Sequence, residues 1–265
     1  TAIVIFALVR TIGGTTAGLL ASLFFAISPI IILRGSIGWF KSEPLGLFYG
    51  LLAVYLLLSA IKSDKGKVSV AKIVGAGIIL SVGLTSWGGV QFFILPIGLF
   101  FLALPFMKKD SKFIVCMSVI FTFVFLLVNI LFELLKAVGF YPEPGDLFVH
   151  VLNLQAGFSF LTSLNGFFII GCTVFLVAGV IIRRIFGENQ LRNGLALLGG
   201  TIIAGIAIIS SGLVNLPSFR YLNAANPLLI TTDFLTDSVS EHATTSIEIS
   251  FFFFSTLMIF AGIGG

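Results

Sequence analysis

Charge is what this sequence has least of. Of its 265 residues, 10% are Asp, Glu, Lys or Arg, where a soluble globular domain carries about a quarter. Too few charges remain to clothe a surface in water, which excludes a cytosolic enzyme, a nucleic-acid binder and a disordered tail. Cysteine is scarce as well. The two cysteines, Cys116 and Cys172, both lie inside apolar runs and read as small buried hydrophobes, so no disulfide scaffold is present. With two histidines and two tryptophans, the chain has no His-Glu-x-x-His helix. It also lacks a Gly-Lys-Ser/Thr phosphate loop and a Gly-x-Ser-x-Gly elbow. His150 has no recognisable catalytic partners beside it. Ionisable residues are nearly missing from the middle of the apolar runs, which counts against an ion-coupled transporter or pump.

What the sequence has instead is length of apolar run. Hydrophobic residues make up 58% and mean hydropathy is +1.16. About 20 apolar residues cross the roughly 30 Å of bilayer hydrocarbon as a helix. The runs 11–33, 44–61, 113–132, 166–182 and 193–213 approach or exceed that length. Run 73–107 holds two helix lengths, broken at Thr85-Ser86-Trp87-Gly88-Gly89. Residues 2–9 read as the remnant of a span ending at Arg10, and 250–265 as the beginning of another. Such continuous runs are far too long for the alternating strands of a membrane barrel. The expected fold is all-α, a polytopic transmembrane bundle with about seven full spans. Both ends read as cuts through helices, so we expect the central part of one larger membrane domain.

Charge sets the orientation. Alternating helices put Arg10, the Lys62–Lys72 stretch, the Lys108–Lys112 stretch and Arg183, Arg184 and Arg192 on one side. Together these hold most of the 15 basic residues, so that side is cytoplasmic by the positive-inside rule. The net charge of +4 is thus a matter of topology and gives no reason to expect nucleic acid. The opposite face receives most of the acidic residues, on residues 34–43, 85–89, 136–165 and 215–249. The last of these is far longer than a plain connector and contains Pro217 and Pro227.

Three outer constellations could carry chemistry. Arg34-Gly-Ser-Ile-Gly-Trp-Phe-Lys-Ser-Glu-Pro44 joins two spans. Glu43 either caps the following helix through its dipole or offers oxygen to a divalent cation. Asp237-Ser-Val-Ser-Glu-His242 sets a carboxylate beside an imidazole, with hydroxyls close by. It either forms a locally hydrogen-bonded turn or positions a metal, an amide or a phosphate. Trp87-Gly88-Gly89 holds no acid or base and reads as a structural turn.

In this order and spacing, the segments resemble the catalytic subunit of oligosaccharyltransferase, a membrane glycosyltransferase of the GT-C type, in its archaeal form. Ser238-Val-Ser-Glu-His242 is similar to that family's long outer-loop motif, with Thr244-Thr245 continuing it. Arg34 to Glu43 is similar to the segment carrying the second acidic pair. Trp87-Gly88-Gly89 resembles the turn found two helices later, and Phe219-Arg220-Tyr221 with Asn226-Pro227 the approach to the loop motif. The resemblance implies transfer of an oligosaccharide from a polyprenyl or dolichyl (pyro)phosphate carrier to the Asn amide of an Asn-x-Ser/Thr acceptor polypeptide. It implies a Mn or Mg ion held by Glu43 and Glu241, which are also the expected catalytic carboxylates. Arg34, Ser238, Ser240 and His242 would bind substrate, Arg34 near the phosphates. The location implied is an archaeal cell membrane, with the bilayer as a further partner and the active face outside.

The chain departs from the family pattern in three places. Lys41 stands where the second acidic pair has its first Asp, and a protonated Lys cannot ligate a hard cation. Either Glu43 manages with fewer protein ligands, or Lys41 supplies part of the metal's charge, or activity is impaired. The first outer-loop acidic motif and the soluble domain with the Trp-Trp-Asp-Tyr-Gly motif are expected beyond this stretch, so the stretch alone is expected to be inactive. Two other readings stay open: a related lipid-phosphosugar transferase with a hydroxyl acceptor, and a transporter of lipid-linked substrate.

Overall fold

The computed structural model describes residues 1–28, 31–32, 42–63, 66–106, 111–137, 159–186 and 190–214; of residues 111, 136–137, 183–186 and 190–193 it describes the backbone alone. Two compact units divide the chain, Thr1–Ser22 with Lys41–Asn215, and Leu23–Phe40 with Leu216–Gly265. In the second unit the described part is 23–28 and 31–32, helical from residue 23 to residue 27.

The first unit is built of helices, and no strand occurs among the described residues. In chain order they are α1 Ala2–Ile27, which runs on into the second unit, α2 Glu43–Lys62, α3 Lys67–Ser86, α4 Ile94–Ala103, α5 Ser111–Ala137, α6 Leu164–Phe186 and α7 Gln190–Ser210. Short 3₁₀ turns extend α4 at both ends, Gly88–Phe93 before it and Leu104–Phe106 after it. Five described stretches are long and apolar enough to cross a membrane, Glu43–Lys62, Lys67–Ser86, Gly88–Phe106, Lys112–Leu135 and Leu164–Ile182, and Ala2–Ile27 has the length and composition but is bent within. Gly194–Ser210 is a shorter apolar helix. Large apolar side chains such as Phe123 (64% exposed) and Ile203 (70%) face outward. A water-soluble protein rarely presents so continuous an apolar surface.

The break between the first remnant and the next span, expected at Arg10, lies at Gly14. Gly14 has φ 87° and ψ 179°, a region open essentially to glycine alone. Beyond it the chain doubles back. A Cβ placed on Gly18 would lie 2.9 Å from the Phe6 carbonyl oxygen and 3.2 Å from Arg10 Cβ. In a straight helix Gly18 and Phe6 would be roughly 18 Å apart. Ala2–Ile27 is therefore a hairpin of two arms, not one rod. Its tip sits beside the end of α2, where the Lys62 ammonium donates to the Thr11 carbonyl. The Thr85–Gly89 break falls where it was expected: α3 ends at Ser86, and Trp87 is extended at φ −156° and ψ 125°.

The core lies among α2, α3, α4, α5 and α6, and aromatic rings fill it. Phe101, Phe121 and Phe125 are fully buried. Phe101 meets Phe121 edge-on at 5.9 Å, and Phe121 stacks on Phe125 at 6.1 Å. In lipid no hydrophobic force drives helix against helix, so close packing and interhelical hydrogen bonds decide the association. Both are present. At Gly77 on α3 a Cβ would meet the Phe125 nitrogen and the Phe121 carbonyl oxygen of α5, each at 3.2 Å. One turn on, the Asn129 amide donates to Ser81 Oγ (2.8 Å) and to the Phe125 carbonyl (2.7 Å). That carbonyl can only accept, which fixes the orientation of the amide. On the other flank of α5, Thr122 and Thr173 hydroxyls meet at 2.7 Å. Thr173 gives its proton to the Ile169 carbonyl (2.8 Å), so Thr122 is the donor between them.

Contacts gather particular residues at the ends of the unit. One end gathers the Gly14 bend, Lys62 and Lys72, whose ammonium donates to Ser59 Oγ at 2.8 Å. Phe106, at the far end of α4, lies against Gly194 of α7. The other end of α2 carries Glu43, and the Trp87 turn packs beside it.

Candidate functional site

Of the expected catalytic, metal-binding and substrate-binding residues, the described part of the structure contains Glu43. Arg34, Lys41, Ser238, Ser240, Glu241 and His242 lie outside the described residues, as do Trp39 and the 215–249 loop. What can be built is therefore the wall on which Glu43 stands.

Glu43 opens α2, with Ser42 before it and Pro44 after it. Pro suits this place because its missing N–H would have no helical partner, and its fixed φ is already helical. The carboxylate lies in the first turn, where the helix dipole favours negative charge. Ser42 does not cap the helix with its side chain. Glu43 is half-buried and takes part in interactions of its own.

Its place on the helix matters more than its cap. The buried residues of α2 are Gly46, Gly50, Ala53, Leu57 and Ala60. They alternate steps of four and three, the seam of a closely packed helix pair. Glu43 is one step before Gly46 and heads this seam, in register with the face that α2 turns to the bundle. At Gly46 and Gly50 large side chains from the neighbouring segment fill the space. A Cβ on Gly46 would lie 2.6 Å from Trp87 Cβ, 2.9 Å from Trp87 Cε3 and 3.0 Å from Val90 Cγ2. Below it, Gly50 receives the ring of Phe93.

The helix that Glu43 opens is thus in contact, three residues further on at Gly46, with the Trp87-Gly88-Gly89 turn. The indole of Trp87 also covers Gly89, whereas a Cβ on Gly88 would have no atom within 4 Å beyond its two chain neighbours. Sequence reasoning missed two polar residues at this end. Asn165, at the start of α6, directs its amide at the Gln91 side-chain oxygen, 3.4 Å away. Gln91 follows the Trp87 turn by four residues, and the signal that could have exposed it was one amide within an otherwise apolar run.

For a Mn or Mg ion, carboxylate oxygen is the right donor type. Glu43 supplies one such group, and no cluster of three or more His, Cys, Asp or Glu occurs among the described residues. Glu241, the other expected ligand, is outside them.

The fold is similar to that of the Archaeoglobus fulgidus oligosaccharyltransferase, whose crystal structure is in the apo form. The TM-score is 0.65 at 19% sequence identity, over 99% of this chain and 31% of that one. This chain therefore spans under a third of that protein's length. A search of curated proteins found no match. The profile of the family described as "Oligosaccharyl transferase STT3, N-terminal" matches residues 1–263. Nearly the whole chain is matched, and its membrane helices are those of a multi-pass membrane protein: it belongs to that oligosaccharyl transferase family.

Proposed function

We propose that residues 1–265 form the central part of the transmembrane catalytic domain of an oligosaccharyltransferase. The observation that carries this reading is the family match over 1–263. The contact of the Glu43 helix with the Trp87 turn supports it. The donor is an oligosaccharide on a polyprenyl or dolichyl phosphate or pyrophosphate. The acceptor is the Asn side chain of an Asn-x-Ser/Thr polypeptide, reached from the outer face of an archaeal cell membrane.

An amide nitrogen is a poor nucleophile because its lone pair is delocalised into the carbonyl. In this reading, Glu241 and Glu43 hold the acceptor amide where that delocalisation is weakened, and Ser238, Ser240 and His242 bind substrate alongside. The bond from nitrogen to the anomeric carbon forms as the bond to the carrier phosphate breaks. The phosphate leaves with the electron pair, and one amide proton passes to a carboxylate. Arg34 would supply fixed positive charge to the departing phosphate, where such charge is worth most in the transition state. A Mn or Mg ion held by Glu43 and Glu241 would add positive charge to that leaving group. Lys41 stands where the resemblance implies the first Asp of the second acidic pair.

The test is glycopeptide formation by the full-length protein in detergent, with its lipid-linked glycan and an Asn-x-Thr peptide. Glu241→Gln and Glu43→Gln should each lower turnover by about a hundredfold or more. A gain with Lys41→Asp would mark the lysine as a handicap, and a loss would make it part of the site. Product from a peptide offering only Ser and Thr hydroxyls, with none from Asn-x-Thr, would overturn the reading in favour of a hydroxyl acceptor.

A further inference from the structure

We infer that the Trp87 indole, seated between Gly46 and Gly89, is the gauge that sets the position of the first turn of α2 and with it Glu43. The inference rests on the function proposed for Glu43 and deepens it. It makes Gly46, Trp87 and Gly89 positioning residues, none of which needs to touch substrate.

Three observations meet here. First, the two glycines contact different parts of one side chain. Gly46 faces Trp87 Cβ and Cε3, whereas Gly89 faces Cε2, Cζ2 and Cη2 across the ring system. The indole spans the gap between the two backbones, and neither position can carry a Cβ without movement. Second, Trp87 is itself fixed from below. Its backbone N–H donates to the Gly83 carbonyl and its carbonyl accepts from Val90 N–H, both at 3.0 Å. Val90 is fully buried. The turn is therefore an extension of the core, and the helix that leads into it is clasped to α5 by Ser81 and Asn129. Third, Glu43 precedes Gly46 by three residues in the same seam, and the Gly46 N–H donates to the Ser42 carbonyl at 2.9 Å. A shift of Gly46 away from Trp87 carries the whole first turn with it.

Gly88 supplies an internal control. It sits between Trp87 and Gly89 in sequence, but beyond these two chain neighbours a Cβ there would meet nothing within 4 Å, and the extended backbone at Trp87 turns successive Cβ atoms to opposite faces, away from the indole. If the turn needed its glycines for flexibility, Gly88 would matter as much as Gly89. If it needs room for the indole, only Gly89 and Gly46 matter.

The experiment compares Gly46→Ala, Gly89→Ala and Gly88→Ala in the full-length protein, by hydrogen exchange and by glycopeptide assay. Exchange across residues 42–49 should rise in the first two variants and stay at the wild-type level in Gly88→Ala. Turnover should fall by up to about a hundredfold in the first two, the loss expected when a catalytic group moves by about 1 Å. In a Glu43→Gln background the same two substitutions should cost less than about a further twofold, because the group they displace is already disabled. Trp87→Phe combined with Gly89→Ala should recover part of what Gly89→Ala loses, since the smaller ring vacates the contested space. Equal effects from all three glycines would overturn the inference. So would a full, additive loss in the Glu43→Gln background, which would mean general damage to packing. Should the wild-type protein form no glycopeptide, the functional reading fails. The exchange pattern would then still decide whether the indole positions the first turn of α2.

Discussion

Removing the Ser81 hydroxyl should destabilise the protein more than removing both ends of its hydrogen bond with Asn129. An interhelical hydrogen bond in a membrane interior is worth about 0.6 to 1.7 kcal/mol. Ser81 is fully buried and Asn129 is 5% exposed. Ser81→Ala leaves one N–H of the Asn129 amide bare, the other still bonded to Phe125 at 2.7 Å. A bare buried donor costs about 1–3 kcal/mol. Asn129→Leu keeps the branching of the side chain but puts a methyl group where an N···O contact of 2.8 Å stood. Carbon requires roughly 3.5 Å or more, so α3 and α5 must part or Leu must take a strained rotamer, for about 1–3 kcal/mol. In the double variant both faults disappear together, and the net cost should fall below about 1 kcal/mol. Reversible unfolding of the full-length protein in mixed detergent, with all four members of the cycle, measures this directly. Additive single costs would refute the reasoning and show that the two side chains do not depend on each other.

The same unfolding assay checks two further expectations. Gly14→Ala should cost about 1–3 kcal/mol from the backbone alone, because a Cβ there meets nothing within 4 Å. Asn should give no relief, since ψ of 179° lies outside the left-handed helical region that Asn tolerates. At the Thr122–Thr173 contact, Thr122→Val should cost less than Thr173→Val. The first removes a donor and leaves Thr173 bonded to Ile169, whereas the second deprives Thr122 of its acceptor. The opposite order would mean that the proton between them is assigned the wrong way round.

The helices are legible in the sequence because lipid imposes a single requirement, about 20 apolar residues in a row. Runs 44–61, 113–132 and 166–182 correspond to Glu43–Lys62, Ser111–Ala137 and Leu164–Phe186. Each helix outruns its uncharged stretch, because residues such as Lys62 and Glu133 can remain helical while their charges reach toward water. The first bend is not legible from charge: Arg10 marks no boundary, and backbone conformation at Gly14 decides it. The helix that holds Arg192 is as long as the apolar run expected there but lies three residues earlier, Gln190–Ser210 against 193–213. Asn129, Ser81, Thr122 and Thr173 give no signal in the sequence, since partners 48 and 51 residues apart leave no local pattern. Of the site, Glu43 and the Trp87 turn stand out in the sequence, but nothing there signals that Gly46 joins them. That contact depends on which face of α2 meets α3, and α2 is apolar on every side. The remaining site residues lie outside the described part of the chain.

The Asn129–Ser81 bond also bears on how the protein is made. Ser81 enters the membrane well before its partner, which is 48 residues further along the chain and one span beyond the next. At about 5–20 residues per second of synthesis, its hydroxyl must wait several seconds in lipid. It need not wait unsatisfied, because it can donate to the Gly77 carbonyl of its own helix at 3.0 Å. Asn129 likewise arrives with one amide proton already directed at Phe125, a turn behind it. Each helix can thus leave the insertion machinery as a nearly self-sufficient unit and join its partner afterwards, without a strongly polar group exposed to the acyl chains in between.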